Sequence, residues 1–244
     1  VMISAAQVLF DLDGTLIDPA GAITGGIGHA LEVHGIEDPG PASLNALVGP
    51  GLAHGLASIP GVEPELIPAL IDTYRTHYLE RGMALARVYP GITELLTALA
   101  AAGVPVAVAT SKPTSLARLL IDQQGLAPLL GGVYGAPEAE SAAATEGKEA
   151  IVAAALAGEG MDPATTVMVG DRRFDLTGAS ANGLRSIGVR WGFAPPGELE
   201  AAGADAIVHD AHELAALLLP ATTRTKAGTL TTETQTGTTT GAAR

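Results

Sequence analysis

Two aspartates two residues apart, Asp11 and Asp13, close the apolar run of "VLFDLDGTLID". Val8, Leu9 and Phe10 read as the end of a strand covered on both faces, and side chains two positions apart on a strand point the same way. The spacing directs both carboxylates into one small space. Like charges that close stay ionised only when a proton, a cation or strong hydrogen bonds offset them, so the pair predicts a metal site, an acid/base pair, or both. Two more apolar runs end in polar groups, "VAVA" in Thr110 and Ser111 and "VMVG" in Asp171, while Lys148 opens the helical stretch of "EGKEAIVAAAL". Acidic groups, a hydroxyl and a lysine on one edge suit a divalent cation plus a phosphoryl group. Mg²⁺ takes oxygen ligands and keeps several waters, so one or two carboxylates with a backbone carbonyl suffice to hold it.

The elements that must position these residues alternate along the chain. Strand-like runs at 8–10, 104–109, 132–134, 166–169, 186–189 and 206–208 are interleaved with helical stretches at 92–102, 114–124, 148–156, 174–181, 197–202 and 211–218. That order predicts an α/β fold, a doubly wound and mostly parallel sheet with helices on both faces. Ligands of such sheets collect outside the carboxyl ends of the strands, where the candidate residues fall. Between 18 and 88 the rhythm breaks: no strand is evident, and helical segments such as 23–33 and 64–81 are separated by Gly and Pro clusters. The expected organisation is a core of 1–17 and 86–220, an inserted all-helical domain over 18–85, and a tail of 221–244. The tail is Thr-rich, with Leu230 its single large apolar side chain, and is expected to be disordered because it cannot bury enough surface to offset its ordering entropy.

The chain of 244 residues has a hydrophobic fraction of 47% but only 3% aromatics, which predicts Ala-rich helices packed closely on Val, Ile and Leu strands. A net charge of −13, from 13 basic and 26 acidic residues, argues against nucleic acid, whose affinity rests on Lys and Arg; a small phosphorylated molecule needs only a local cation. The absence of cysteine excludes disulfides, thiolate metal sites and a Cys nucleophile. No targeting segment or membrane span stands out, since the longest uncharged stretch, 95–111, is interrupted by Gly103 and Pro105. The expectation is a cytoplasmic protein, monomeric or weakly dimeric, that meets neither membrane nor nucleic acid.

"DLDGTLID", "ATSKP", the lone Lys148 and "VGDRRFD" resemble, in order, the four motifs of the haloacid dehalogenase superfamily, and the insertion after the first resembles its helical cap. "YPGI" at 89–92 and "NGLRSIGVRWGFAPPGELEAAGAD" at 182–205 are similar to its phosphoglycolate phosphatase-like and nucleotidase-like members. The resemblance spans 7–218. It implies that Asp11 attacks phosphorus and becomes an aspartyl phosphate, and that Asp13 protonates the leaving oxygen and then deprotonates the water that releases phosphate. It implies Mg²⁺ held by the Asp11 side chain, the Asp13 backbone carbonyl and Asp171, with Asp175 in support. Thr110, the Ser111 backbone and Lys148 would bind the equatorial phosphoryl oxygens. The activity so implied is a Mg²⁺-dependent phosphatase for a small phosphomonoester.

Two departures accompany the resemblance. Arg172 and Arg173 follow the metal aspartate where relatives commonly carry Ser, and "EAESAAATEGK" lacks the Gly- and Arg-containing pattern of the nearest relatives. Lys148 is assigned by elimination, because Lys112 belongs to the second motif and Lys226 to the tail. A phosphosugar mutase would share the core motifs, a dehalogenase would not need Asp13, and a phosphoryl-accepting receiver domain would be shorter, with adjacent acids after its first strand. The segment "LVGPGLAHGL" at 47–56 resembles the loop that relatives place over the pocket, yet it offers no cation for a carboxylate and no aromatic pair for a nucleobase. The six histidines show no shared ligand pattern, and Trp191 is expected to pack over a sheet edge.

Overall fold

The computed structural model describes residues 5–138 and 147–219; the tail of 221–244 lies outside the described residues. The chain opens with β1 (Gln7–Phe10), makes a two-residue strand β2 (Ile17–Asp18), and enters α1 (Ala22–Val33), α2 (Pro41–Ala46), α3 (Leu52–Ala57) and α4 (Ile67–His77). A π-helical turn at Tyr78–Gly82 leads toward β3 (Arg87–Val88). Strands and helices then alternate through α5 (Ile92–Ala101), β4 (Val106–Pro113), α6 (Thr114–Gln123), β5 (Val133–Ala136), α7 (Lys148–Glu159), β6 (Thr166–Gly170), α8 (Arg173–Ala181), β7 (Arg185–Val189), α9 (Glu198–Ala201), β8 (Ala206–Val208) and α10 (Ala211–Leu218).

Six strands form one parallel sheet in the order β5-β4-β1-β6-β7-β8. β1 lies between β4 and β6, with Phe10 opposite both Val108 and Val169, so those three strands end side by side. Alternation sorts the side chains by face. Val8 and Phe10 join Val106, Val108, Val167 and Val169 in a cluster with Leu95, Leu96 and Leu99 of α5 and Leu214 and Leu218 of α10. Leu9, Ala107, Ala109 and Met168 face the other way, onto Ile151, Val152 and Ala155 of α7. Each fully buried Leu, Val or Phe in these layers contributes about 1.5–3 kcal/mol relative to exposure. The packing of α7 on this face sets Lys148, its first residue, at the same edge as the strand ends.

The six expected strands are present, with one difference that bears on chemistry. β4 was expected to stop at Ala109, before Thr110 and Ser111, but it runs on to Pro113 through an irregularity after which pairing with β5 resumes at Pro113 and Ala136. Thr110 and Ser111 therefore lie within a strand. Polar side chains interrupted the apolar run without ending the backbone pairing. The antiparallel ribbon of β2 and β3, Ile17 opposite Val88 and Asp18 opposite Arg87, also went unforeseen, because two-residue strands carry no periodicity. Between its strands, α1 packs on α4 through a buried set that includes Ile27, Leu31, Leu70 and Ile71. No helix among the described residues is long and apolar enough to cross a membrane.

Candidate active site

Asp11 follows β1 directly, its backbone N–H continuing the ladder to Val169 O at 2.9 Å. Its carboxylate is buried, and Oδ1 receives Lys148 Nζ at 2.5 Å; the same ammonium lies 2.7 Å from Asp175 Oδ1. Asp171, completely buried after β6, accepts from the Phe193 N–H at 2.7 Å and from Thr15 Oγ1 at 3.3 Å. Gly14 makes this approach feasible: it adopts φ +89°, and a Cβ there would sit 2.3 Å from Asp171 Oδ2. Trp191 packs against the larger cluster and donates from Nε1 to Thr15 O at 3.0 Å, bracing the turn that carries Gly14.

Oxygens of Asp11, Asp171 and Asp175 all lie within 4.8 Å of one another. Burial raises the Asp171 carboxyl well above its usual range, reinforced by Asp175 and Asp11 and opposed by the Phe193 N–H and Arg172. Burial likewise lifts Asp175 to about 6, against the pull of Lys148. Burial disfavours the charge on Lys148 as well, yet Asp11 and Asp175 hold it protonated and its pKa up. One ammonium among three buried carboxylates leaves negative charge uncompensated, and the donor set is entirely oxygen. That combination fits a hard divalent cation such as Mg²⁺.

Asp13 lies one step further along and is held differently. Its Oδ2 pairs with Lys112 Nζ at 2.8 Å, and Lys112 in turn sits 4.6 Å from the centre of the Tyr78 ring. Asp13 Oδ1 is buried and has no hydrogen-bond partner among the described residues. Burial raises the Asp13 carboxyl; Lys112 opposes and Asp11 adds to the rise. Thr110 Oγ1 accepts from the Lys112 N–H at 3.2 Å, which orients the strand segment rather than capping α6.

Asp11, Asp13, Thr110 and Ser111 line one cavity of about 60 Å³, closed on its other side by Ile23, Leu47, Val48, Leu52, Tyr74 and Arg75 of the helical insertion. The expected candidates Asp11, Asp13, Thr110, Ser111, Lys148, Asp171 and Asp175 are thus brought to one sheet edge. Sequence reasoning missed the partnership of Lys112 with Asp13 and the reach of Arg75, a cation supplied by α4 and not by the 47–56 segment. The lysine's place two residues after Thr110, on the same side of a strand, was the available signal for the first. The six histidines join no metal-ligand cluster among the described residues; the His29 and His77 rings meet tilted, with centroids 4.6 Å apart, and His34 bonds Thr73.

The sequence profile of the haloacid dehalogenase-like hydrolases matches residues 8–189, which include every candidate site residue described above. The chain belongs to that family. A Pseudomonas aeruginosa protein named 5'-nucleotidase is 36% identical over 80% of this chain and 87% of its own length. A Caulobacter vibrioides phosphoglycolate phosphatase is 33% identical over 85% and 88%. A Mycobacterium tuberculosis protein named tyrosine-protein kinase is 34% identical over 85% and 70%. Among solved structures, a predicted phosphatase from Clostridium acetobutylicum superposes with a TM-score of 0.79 at 34% identity, covering 88% of this hydrolase and 98% of that chain.

Proposed function

We propose that this haloacid dehalogenase-like hydrolase is a Mg²⁺-dependent phosphatase that cleaves a small phosphomonoester, phosphoglycolate-like or a nucleoside monophosphate, through a phosphorylated Asp11. The observation that carries the reading is the pairing of two unlike carboxylates in one cavity: Asp11 at the lysine-bearing acidic cluster, and Asp13 with one oxygen tied to Lys112 and the other without a partner among the described residues. Asp11 attacks phosphorus, the bond to the leaving oxygen breaks, and Asp13 delivers its proton to that oxygen. Asp13 then takes a proton from the water that attacks the aspartyl phosphate, which returns both carboxyls to their starting states. A raised pKa suits a group that must hold a proton in the first step.

Thr110, the Ser111 backbone and Lys148 hold the equatorial oxygens, where transition-state charge resides. The Asp11 and Asp171 side chains and the Asp13 carbonyl would hold Mg²⁺, supported by Asp175. The cation supplies charge neutralisation that lets an anionic nucleophile meet an anionic phosphoryl group. In this reading residues 18–85 are a cap that selects the leaving group, on a core of 1–17 and 86–220, and the chain works in the cytoplasm as a monomer or weak dimer.

The test is phosphate release across a panel of phosphomonoesters, with Mg²⁺ and with chelator. Release from at least one small member, abolished by chelator and restored by Mg²⁺, is expected. Full activity in chelator would sink the metal assignment. Radiolabel transfer from ATP to protein tyrosine, with no release from the panel, would favour the chemistry in the mycobacterial relative's name.

A further inference from the structure

We propose that Arg172 is a specificity-determining positioning residue: anchored by Glu198, its guanidinium clasps the backbone carbonyls of Ala46 and Val48 and holds the substrate-covering segment over Asp11 and Asp13. The inference rests on the phosphatase reading. Arg172 is only 4% exposed although it carries a full charge. Its Nε donates to Glu198 Oε1 at 2.8 Å and Nη2 to Oε2 at 3.5 Å, while Nη1 reaches Ala46 O at 3.4 Å and also bonds Val48 O. A planar fork with five donors can satisfy a carboxylate on one edge and carbonyls on another; an ammonium cannot span the same set.

The anchor is itself fixed. Glu198 Oε1 also accepts the Arg173 N–H at 2.9 Å, which ties the carboxylate to the start of α8. On the other side, Gly49 passes across the arginine stem at φ +114°, where a Cβ would lie 2.8 Å from Arg172 Cγ. Leu47, Val48 and Pro50, flanking that glycine, line the cavity that contains Asp11 and Asp13. Arg172 also donates its backbone N–H to Asp175 Oδ2 at 3.0 Å, so one residue touches both the acidic cluster and the covering segment. Fixing the segment fixes the apolar side of that cavity, and with it the room left for the leaving group.

The experiment compares Arg172→Ala, Arg172→Lys and Glu198→Gln with the wild type by two readouts. Amide hydrogen exchange in peptides covering 44–52 reports the clasp without any need for turnover, with the β1 peptide as control. Losing hydrogen bonds to a charged group should speed exchange in 44–52 by about tenfold in Arg172→Ala and leave β1 unchanged. Steady-state kinetics with 2-phosphoglycolate and 4-nitrophenyl phosphate should show KM for the small ester rising about tenfold while kcat falls less, with preference moving toward the aryl ester. Lysine should not rescue either effect, and Glu198→Gln should give a weaker version of both. If Arg172→Ala does not fold, the glutamine and lysine variants carry the test. Unchanged exchange in 44–52 together with unchanged substrate ranking would overturn the proposal. A wild type that releases phosphate from no phosphomonoester would defeat the phosphatase reading instead, and the exchange result would still judge the clasp.

Discussion

At the sheet edge, the cavity is bounded by Asp11 after β1, Asp13 beyond it and Lys112 within β4, and behind Asp11 stand Lys148 at the head of α7 and Asp171 after β6. Across the same space, the helical insertion presents Ile23, Leu47, Val48 and Leu52, with Tyr74 and Arg75 beside them. The first wall is crowded with charge held by short ion pairs. The second is mostly apolar, and its covering segment is fixed by carbonyls that an arginine of the core grips. A phosphoryl group looks alike in every phosphomonoester, so the charged wall can serve all of them; in the proposed function the apolar wall meets the part that differs.

The sharpest way to break that division is to remove charge from the sheet edge. Asp11→Asn should lower kcat by about 10⁴-fold or more on every substrate while the fold persists, since an amide cannot attack phosphorus. Lys148→Ala should cost about 10²- to 10³-fold, again without re-ranking substrates. It should also destabilise the metal-free protein by about 3–5 kcal/mol, because the variant leaves Asp11 and Asp175 buried without their shared cation. Kinetics on the panel plus denaturant melts check both variants. A selective loss confined to one substrate would contradict the division.

Changes to the apolar wall should do the reverse at smaller size. Leu47→Ala or Leu52→Ala should alter the order of substrates by about tenfold in kcat/KM, the scale of one or two methylenes in a pocket, with little effect on a generic aryl phosphate. Equal losses across the panel would place these side chains in the chemistry.

The acidic cluster also predicts how stability depends on pH. Burial lifts Asp175 from 3.8 to about 6 and raises Asp171 as well. A carboxyl whose pKa is higher in the folded state binds its proton more tightly there, so its stabilisation is present below about 4 and lost as pH rises through about 6. In chelator, the melting temperature should fall across that interval, and Mg²⁺ should restore it most at the upper end, where the carboxylates are ionised. A metal-free melting temperature that climbs from pH 4 to pH 7 would contradict this.

Much of this arrangement was legible in the sequence because it is local. An apolar run followed by an aspartate marks the ends of β1 and β6, and parallel order puts strand ends on one edge, so the convergence of Asp11 and Asp171 needed no structure, whereas β4 runs on past Thr110 and Lys148 was reached by elimination. What escaped was long-range pairing. The place of Lys112 two residues after Thr110 hints at its side of the strand but not at Asp13 or the Tyr78 ring, and the Arg172 that broke the family pattern gave no hint of Glu198 or of the carbonyls near Gly49. Arg75 lies outside the covering segment altogether, on a helix whose periodicity shows which face is apolar but not which core loop it meets. It donates from Nη2 to Glu138 O, a contact that only the folded chain creates.

The central claim is that Asp11 is phosphorylated and that Asp13 moves the protons. Asp13→Asn isolates the second role, because the metal is assigned the backbone carbonyl of residue 13 and not its side chain. An alkyl phosphate, whose leaving oxygen needs a proton, should then react very slowly, while an aryl phosphate with an acidic phenol leaves unaided. Rapid mixing of this variant with the aryl ester should give a burst of about one equivalent of phenol per enzyme followed by a slow steady state, with acid-quenched mass spectrometry locating phosphate on Asp11. Equal loss on alkyl and aryl esters, with metal binding intact and no phosphate on Asp11, would contradict the account.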